Sequence, residues 1–228
     1  MEQKTEHGYL VVADISGYTS YVATTELEHA HDILRELLEL VVNHLTPALT
    51  LSRLQGDAVI AYVPEARLTR GETVLELVEA TYVAFKDRIE AMRRGTTCTC
   101  KACEAIPTLD LKFITHFGDY IVQSVSGIQE LVGSDVNLLH RLLKNNVTEA
   151  TGWRGYALFT EKVLEKMCIV PEAMRELTEN YEFYGDVRVF VLDLKSRYKE
   201  VTQTRHLTVA PGAHLEVEFP EQPQTEKK

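Results

Sequence analysis

Two apolar, β-branched runs, each with an Asp where strand meets turn, constrain this chain more than any other feature. Gly8-Tyr9-Leu10-Val11-Val12-Ala13 runs into Asp14-Ile15-Ser16-Gly17, and Gln55-Gly56-Asp57 opens Ala58-Val59-Ile60-Ala61-Tyr62-Val63. Short apolar runs bounded by turn residues read as buried strands. Between them Leu34, Leu37, Leu38, Val41, Val42 and Leu45 recur with the 3.6-residue period of a helix, which Pro47 stops. Ala48 to Leu54 reads as the partner of Ala58 to Val63 in a hairpin tipped by Asp57. A carboxylate at a strand end is held by the sheet yet reachable. Two brought together form an oxygen site for hard divalent cations.

From Gly71 a second long helix presents Val74, Leu77, Val78, Phe85, Ile89 and Met92 on one face. Leu109, Leu111, Phe113 and Thr115 then alternate with Asp110, Lys112, Ile114 and His116, a strand pattern. Gly118-Asp119 is expected to turn it into a further strand over Tyr120 to Val125. Helices are expected over 135–144 and 161–167, and strands over 156–159 and 187–194. The order through His116 is β-α-β-β-α-β: an α+β, ferredoxin-like core with helices on one face of an antiparallel sheet. The expected domain spans 8–194, with 95–107 a cysteine-containing insertion. Residues 195–228 form a polar extension, read as a loose tail ending Pro220 to Lys228.

A chain of 228 residues suffices for one domain with a full core. Its net charge of −10 argues against binding nucleic acid through phosphate-backbone contacts, which need clustered Lys and Arg. No apolar run approaches the ~18 residues of a membrane helix, and Met1 to His7 lacks the apolar core of a signal peptide. The expectation is a cytoplasmic protein with neither a membrane nor a nucleic-acid partner, whose four cysteines are thiols or metal ligands rather than disulfides. Cys98-x-Cys100-x-x-Cys103 is one ligand short of a structural zinc site. His7, His116, a carboxylate or a second subunit could complete it. A plain cysteine-containing loop is the other reading. Cys168, between Met167 and Ile169, is expected to be a buried small hydrophobe. Trp153 reads as a loop anchor, and His116 and His140 as hydrogen-bonded structural histidines.

Four segments together resemble the class III nucleotide cyclase homology domain of adenylate and guanylate cyclases. Ala13-Asp14-Ile15-Ser16-Gly17-Tyr18-Thr19 is similar to the family's first strand-to-helix motif, and Gly56-Asp57-Ala58-Val59-Ile60-Ala61-Tyr62 to its hairpin. Leu111 to Asp119 resembles its later strand and turn. Gly133-Ser134-Asp135-Val136-Asn137-Leu138-Leu139-His140-Arg141-Leu142 resembles its Gly, Val-Asn, Arg-Leu helix. They occur in the family's order. The resemblance implies that Asp14, Asp57 and the Ile15 carbonyl hold two Mg²⁺ or Mn²⁺ ions, and that the backbone at Ser16, Gly17, Tyr18 and Thr19 meets the triphosphate. It implies further that Asn137 orients the ribose and Arg141 stabilises charge on the α-phosphoryl group, both across a homodimer. Read alone, Asn137 and Arg141, four residues apart, are as well a solvated helical pair.

Adenylate cyclases of this class carry a Lys four residues before the second metal Asp and an Asp seven before the ribose Asn. The same counts here reach Arg53 and Glu130. Arg donates only and an ionised Glu accepts only, so the pair suits a base with a carbonyl beside a ring N–H. That favours uracil, then guanine. Bacterial pyrimidine cyclases of antiphage signalling are similar in having altered base-selecting residues. The resemblance therefore implies a homodimeric cyclase acting on UTP before GTP. The alternative is a nucleotide-binding regulatory module without turnover, and a zinc ion is a further expectation only if the cysteine loop is a metal site.

Overall fold

A computed structural model describes residues 4–68 and 70–208. The chain opens with strand β1 (Glu6–Ser16), the short helix α1 (Tyr18–Thr24) and the long α2 (Leu27–Leu45). The hairpin β2 (Thr50–Gln55) and β3 (Ala58–Pro64) follows, then α3 (Thr73–Gly95) and α4 (Lys101–Ala105). Next come β4 (Asp110–Val125), β5 (Ile128–Val132), α5 (Ser134–Leu142) and α6 (Val147–Thr151). The chain closes with β6 (Tyr156–Thr160), α7 (Glu161–Met167), β7 (Arg175–Tyr181), β8 (Gly185–Asp193) and α8 (Leu194–Thr208). The sheet order is β2-β3-β1-β4-β6-β8-β7, with β5 on the far end of β4. Pairings are antiparallel except β4 with β6. This is the expected α+β sheet with packed helices.

Strand alternation sends β1 side chains to two cores. Tyr9, Val11, Ala13 and Ile15 pack with Leu34, Leu37 and Val41 of α2 and Val78, Phe85 and Ile89 of α3. Leu10 and Val12 pack with Val136, Leu139 and Leu142 of α5 and Val147 of α6. The helices of the expected core, α2 and α3, share one face, joined there by Tyr21 of α1, Ala102 of α4, Val163 and Leu164 of α7 and Leu194 of α8; α5 and α6, later in the chain, close the opposite face. That second layer matters for function because Asp14, two residues after Val12, shares its face.

Three expectations about single segments are corrected. Gly118-Asp119 is not a turn: β4 continues to Val125 and reverses at Ser126-Gly127, both with positive φ (53° and 83°). Gly118 is a close-approach residue inside the strand. A Cβ there would lie 2.3 Å from Asp135 Cγ, so glycine is needed for α5 to pack down. The extension begins as helix α8, fastened to α3 by Arg197 on Glu79 at 2.9 Å and Tyr198 on Asp87 at 2.8 Å. The remainder of the expected tail, like Met1 to Gln3, lies outside the described residues. Cys168 is exposed, not buried. It caps α7 in the left-handed conformation, φ 54°, which turns its side chain outward while Met167 takes the core position. Strand β7 was not anticipated, because its Arg-Glu-Leu-Thr-Glu-Asn-Tyr sequence carries little apolar signal at the sheet edge. Among the described residues no helix is long and apolar enough to cross a membrane.

Candidate active site

Asp14 sits near the end of β1, opposite Ala58 of β3 on one side and Lys112 of β4 on the other. Asp57 is the second residue of the Gly56-Asp57 hairpin turn. Gly56 adopts φ +63°, which a first-position glycine accepts without strain. The turn is laced to β1 by the Ile15 N–H donating to the Asp57 carbonyl at 3.3 Å. The two carboxylates predicted from 43 positions apart therefore stand side by side.

Burial first, then a hydrogen bond and charge from Asp14, raise the Asp57 carboxyl to about 7, while a backbone hydrogen bond and Lys112 act the other way. Lys112 Nζ lies 3.0 Å from Asp14 Oδ2, with both side chains mostly buried, and 3.4 Å from the Leu143 carbonyl. Lys112 was legible only as the single cation in an apolar strand; pairing in the sheet is what sets it against Asp14.

Ser16, Gly17, Tyr18 and Thr19 form the corner between β1 and α1. Gly17 is left-handed at φ +93° and precedes α1. The Ser16 hydroxyl donates to the Arg154 carbonyl at 2.7 Å, and a Cβ on Gly17 would lie 2.4 Å from the Arg154 guanidinium. Arg154 was missed in the sequence. It stands between Trp153 and Gly155 in a loop with no periodic signal, and Trp153 packs partly buried against the α5 core.

Arg53 and Glu130 come together across 77 positions. Arg53 Nη1 donates to Glu130 Oε1 at 3.0 Å, and Nη2 lies 3.2 Å from His140 Nε2. A register shift in β2 between Leu51 and Arg53 aims this side chain. Burial, then the Arg53 charge, lowers the His140 pKa. Asn137 and Arg141 share the exposed face of α5. Among the described residues neither makes a side-chain hydrogen bond or ion pair.

His116 is buried between Thr160 Oγ1, 2.8 Å from Nδ1, and Asp135 Oδ1, 3.0 Å from Nε2. Asp135 also accepts the Asp119 N–H at 2.8 Å. The His116 bond, reinforced by that N–H, holds the Asp135 carboxyl down at about 2 against the cost of its burial. This is a structural clamp between β4 and α5. Neither His7, which contacts Asp119, nor His116 joins the cysteine loop. The histidine that does so is His29, and with Cys98, Cys100 and Cys103 it makes a group that could hold a metal ion.

A family model described as a protein of unknown function, DUF2652, matches residues 34–151, more than half of the chain. The chain belongs to this family. An uncharacterized protein of Mycobacterium tuberculosis (strain ATCC 25618 / H37Rv), Rv2561/Rv2562, is 30% identical over 165 residues, covering 71% of this chain and 73% of that protein. Among solved structures, the guanylyl cyclase Cya2 superposes with a TM-score of 0.67 at 13% identity, over 84% of this chain and 93% of its own. The adenylyl cyclase CyaB from P. aeruginosa gives 0.63 at 16% identity, over 84% and 95%. The catalytic core of a rhodopsin-guanylyl cyclase with converted specificity, solved with ATPαS, gives 0.57 at 17%, over 83% and 97%. The DUF2652 chain thus has the fold of the class III nucleotide cyclase domain.

Proposed function

We propose that this DUF2652 protein is a nucleotide cyclase converting a ribonucleoside triphosphate, UTP before GTP, to a 3′,5′-cyclic mononucleotide and pyrophosphate. The observation that carries the reading is the juxtaposition of Asp14 and Asp57 at one end of the central strands. Two neighbouring carboxylates, one of which burial and then its partner keep protonated up to about pH 7, are a site that a hard cation relieves. The donor set, with the Ile15 carbonyl as a further oxygen, fits two Mg²⁺ or Mn²⁺ ions. Such ions, when bound, supply Lewis-acid charge to the ribose 3′-hydroxyl and the triphosphate.

The chain's own residues then have separate tasks. Lys112 orients Asp14 through their 3.0 Å contact. The Ser16–Thr19 corner, with the Arg154 guanidinium beside Gly17, receives the triphosphate. The 3′-oxygen forms a bond to the α-phosphorus and gives up its proton to solvent water. The α–β anhydride bond breaks, and pyrophosphate leaves with the electron pair. Arg141 offsets charge on the α-phosphoryl oxygens and Asn137 holds the ribose. Their exposure on α5 without a hydrogen-bond or ion-pair partner in the same chain supports a site completed by a second copy. Arg53 and Glu130, already 3.0 Å apart, meet the base. The donor-only guanidinium faces a carbonyl and the acceptor-only carboxylate faces a ring N–H. A uracil product would place the chain beside the pyrimidine cyclases of antiphage signalling.

One observation favours the second reading, a nucleotide-binding module without turnover: Lys112 Nζ already occupies a position 3.0 Å from Asp14 Oδ2. Both are tested by incubating the purified protein with Mn²⁺ and each of ATP, GTP, CTP and UTP, with cyclic product read by mass spectrometry. Product from UTP that is lost in Asp57→Ala supports the cyclase. Nucleotide binding without product, in a protein shown to be dimeric, supports the module.

A further inference from the structure

A second cluster of ligating side chains lies outside the carboxylate site and has no part in the cyclase reading. Cys98, Cys100 and Cys103 occupy the loop between α3 and β4, all three as free, partly buried thiols. Cys100 caps α4, its sulfur accepting the Cys103 backbone N–H at 3.4 Å. From the first turn of α2, His29 brings Nδ1 to 3.1 Å from Cys100 Sγ and 3.7 Å from Cys98 Sγ. The four ligand atoms all lie within 4.8 Å of one another.

Tetrahedral zinc, with bonds of about 2.3 Å to sulfur and about 2.0–2.1 Å to nitrogen, sets its ligand atoms roughly 3.5–3.8 Å apart. The cluster needs only small side-chain adjustments to reach that spacing. Three thiolates and an imidazole are the soft, borderline set that selects zinc over magnesium or calcium. Four protein ligands also close the shell, leaving no position for water or substrate, which is the mark of a structural site.

We propose that His29, Cys98, Cys100 and Cys103 form a closed Cys₃His zinc site that staples the cysteine loop to α2 and so sets the corner between α1 and α2. Two further bonds already join the loop to that corner. The Tyr21 hydroxyl of α1 donates to the Ala102 carbonyl at 2.9 Å, and the Ala102 N–H donates to Glu26 Oε2 at 3.0 Å. The end of the loop reaches the nucleotide corner itself, with the Thr108 carbonyl 3.1 Å from where a Gly17 Cβ would stand. Helices of five and seven residues such as α4 and α1 do not hold themselves in water. A metal tie between residues 71 positions apart supplies the constraint that local hydrogen bonding lacks.

The test is metal analysis of the full chain after gel filtration in metal-free buffer. One tightly held zinc per chain is expected, retained in Asp57→Ala and lost in His29→Ala and Cys100→Ser. Cobalt(II) loaded into the stripped protein should show the sulfur-to-metal charge-transfer and visible bands of a tetrahedral thiolate site. His29→Cys, which keeps four ligands, should retain the metal and guards against misfolding of the Cys variants. Ala is the better helix former at an exposed helical position, so without zinc His29→Ala would melt at or above the unaltered chain. With zinc it should melt several degrees lower, and a strong chelator should erase the difference. The proposal is overturned by unaltered protein that neither carries zinc nor gives the cobalt spectrum. Equal metal content in His29→Ala, or a two-hydrogen mass loss marking a disulfide among the three cysteines, also overturns it.

Discussion

Asp57→Asn is expected to stabilise the metal-free protein while abolishing its turnover. Burial and Asp14 raise the Asp57 carboxyl from the ordinary 3.8 to about 7. Between those values the folded chain keeps a proton that the unfolded chain has released, so this group subtracts stability progressively as pH rises through the window. Above about 7 both states are ionised and the penalty is complete. At about 1.36 kcal/mol per pH unit, its upper bound is about 4 kcal/mol. Solvent contact at the turn discounts this to about 2 kcal/mol. Asn keeps a hydrogen bond to Asp14 through its amide and removes the charge. In EDTA at pH 8 the variant should melt about 4–8 °C above the unaltered chain, taking roughly 2–4 °C per kcal/mol at this size. At pH 5 the gap should shrink to about a third, because most of the penalty has not yet developed. Saturating Mn²⁺ should reverse the order by binding the unaltered folded state. Scanning calorimetry at the two pH values reads all of this. An Asn variant that melts no higher at pH 8, or by the same margin at pH 5, would refute the electrostatic picture of the site.

Arg141→Ala should lower turnover by about 10²–10³-fold with little change in melting temperature, as for loss of one donor to developing charge. Mixing it with Asp57→Ala protein should restore up to about a quarter of the activity, since random pairing of two-fold dimers leaves one intact site in half of them. No recovery would remove the shared-site geometry. Arg53→Lys combined with Glu130→Asp should shift product from cyclic UMP toward cyclic AMP, read by mass spectrometry with the nucleotides in competition. Asp135→Asn should cost about 2 kcal/mol at pH 6 in urea unfolding. The Asp135 carboxyl is depressed from 3.8 to about 2, so its stabilisation is complete above about 4 and is lost as pH falls toward 2. Gly118→Ala should destabilise by about 2–3 kcal/mol, because its Cβ enters the space of the clamped Asp135 carboxylate.

How far the sequence could be read depended on whether a residue's role was local. Periodicity revealed α2 and α3, because an amphipathic helix writes its buried face at fixed spacing. The hairpin around Asp57 was legible because Gly56 sits where a tight turn needs positive φ. Segments whose chemistry is supplied by neighbours were misread. Gly118-Asp119 carries a turn dipeptide, yet the glycine is there to admit Asp135 from another element. β7 is an edge strand with little apolar content. Cys168 lies in an apolar stretch, but the backbone reverses under it and turns the thiol outward.

The site divides in the same way. The chain's own pattern placed Asp14 and Asp57 at strand ends, and the family's spacing pointed to Arg53, Glu130, Asn137 and Arg141. What sits beside each of them only the tertiary structure decided. Lys112 meets Asp14 because β1 and β4 pair in one register, and Arg154 meets Gly17 because a loop after α6 folds back over the β1 corner. His29 looks like any polar residue on a helix surface, and it joins Cys98, Cys100 and Cys103 only when α2 packs beside the loop. Local sequence encodes which way a side chain faces, since that follows from a repeat of two or 3.6 residues. Which side chain it faces is set by packing between elements far apart in the chain, and no short-range pattern records it.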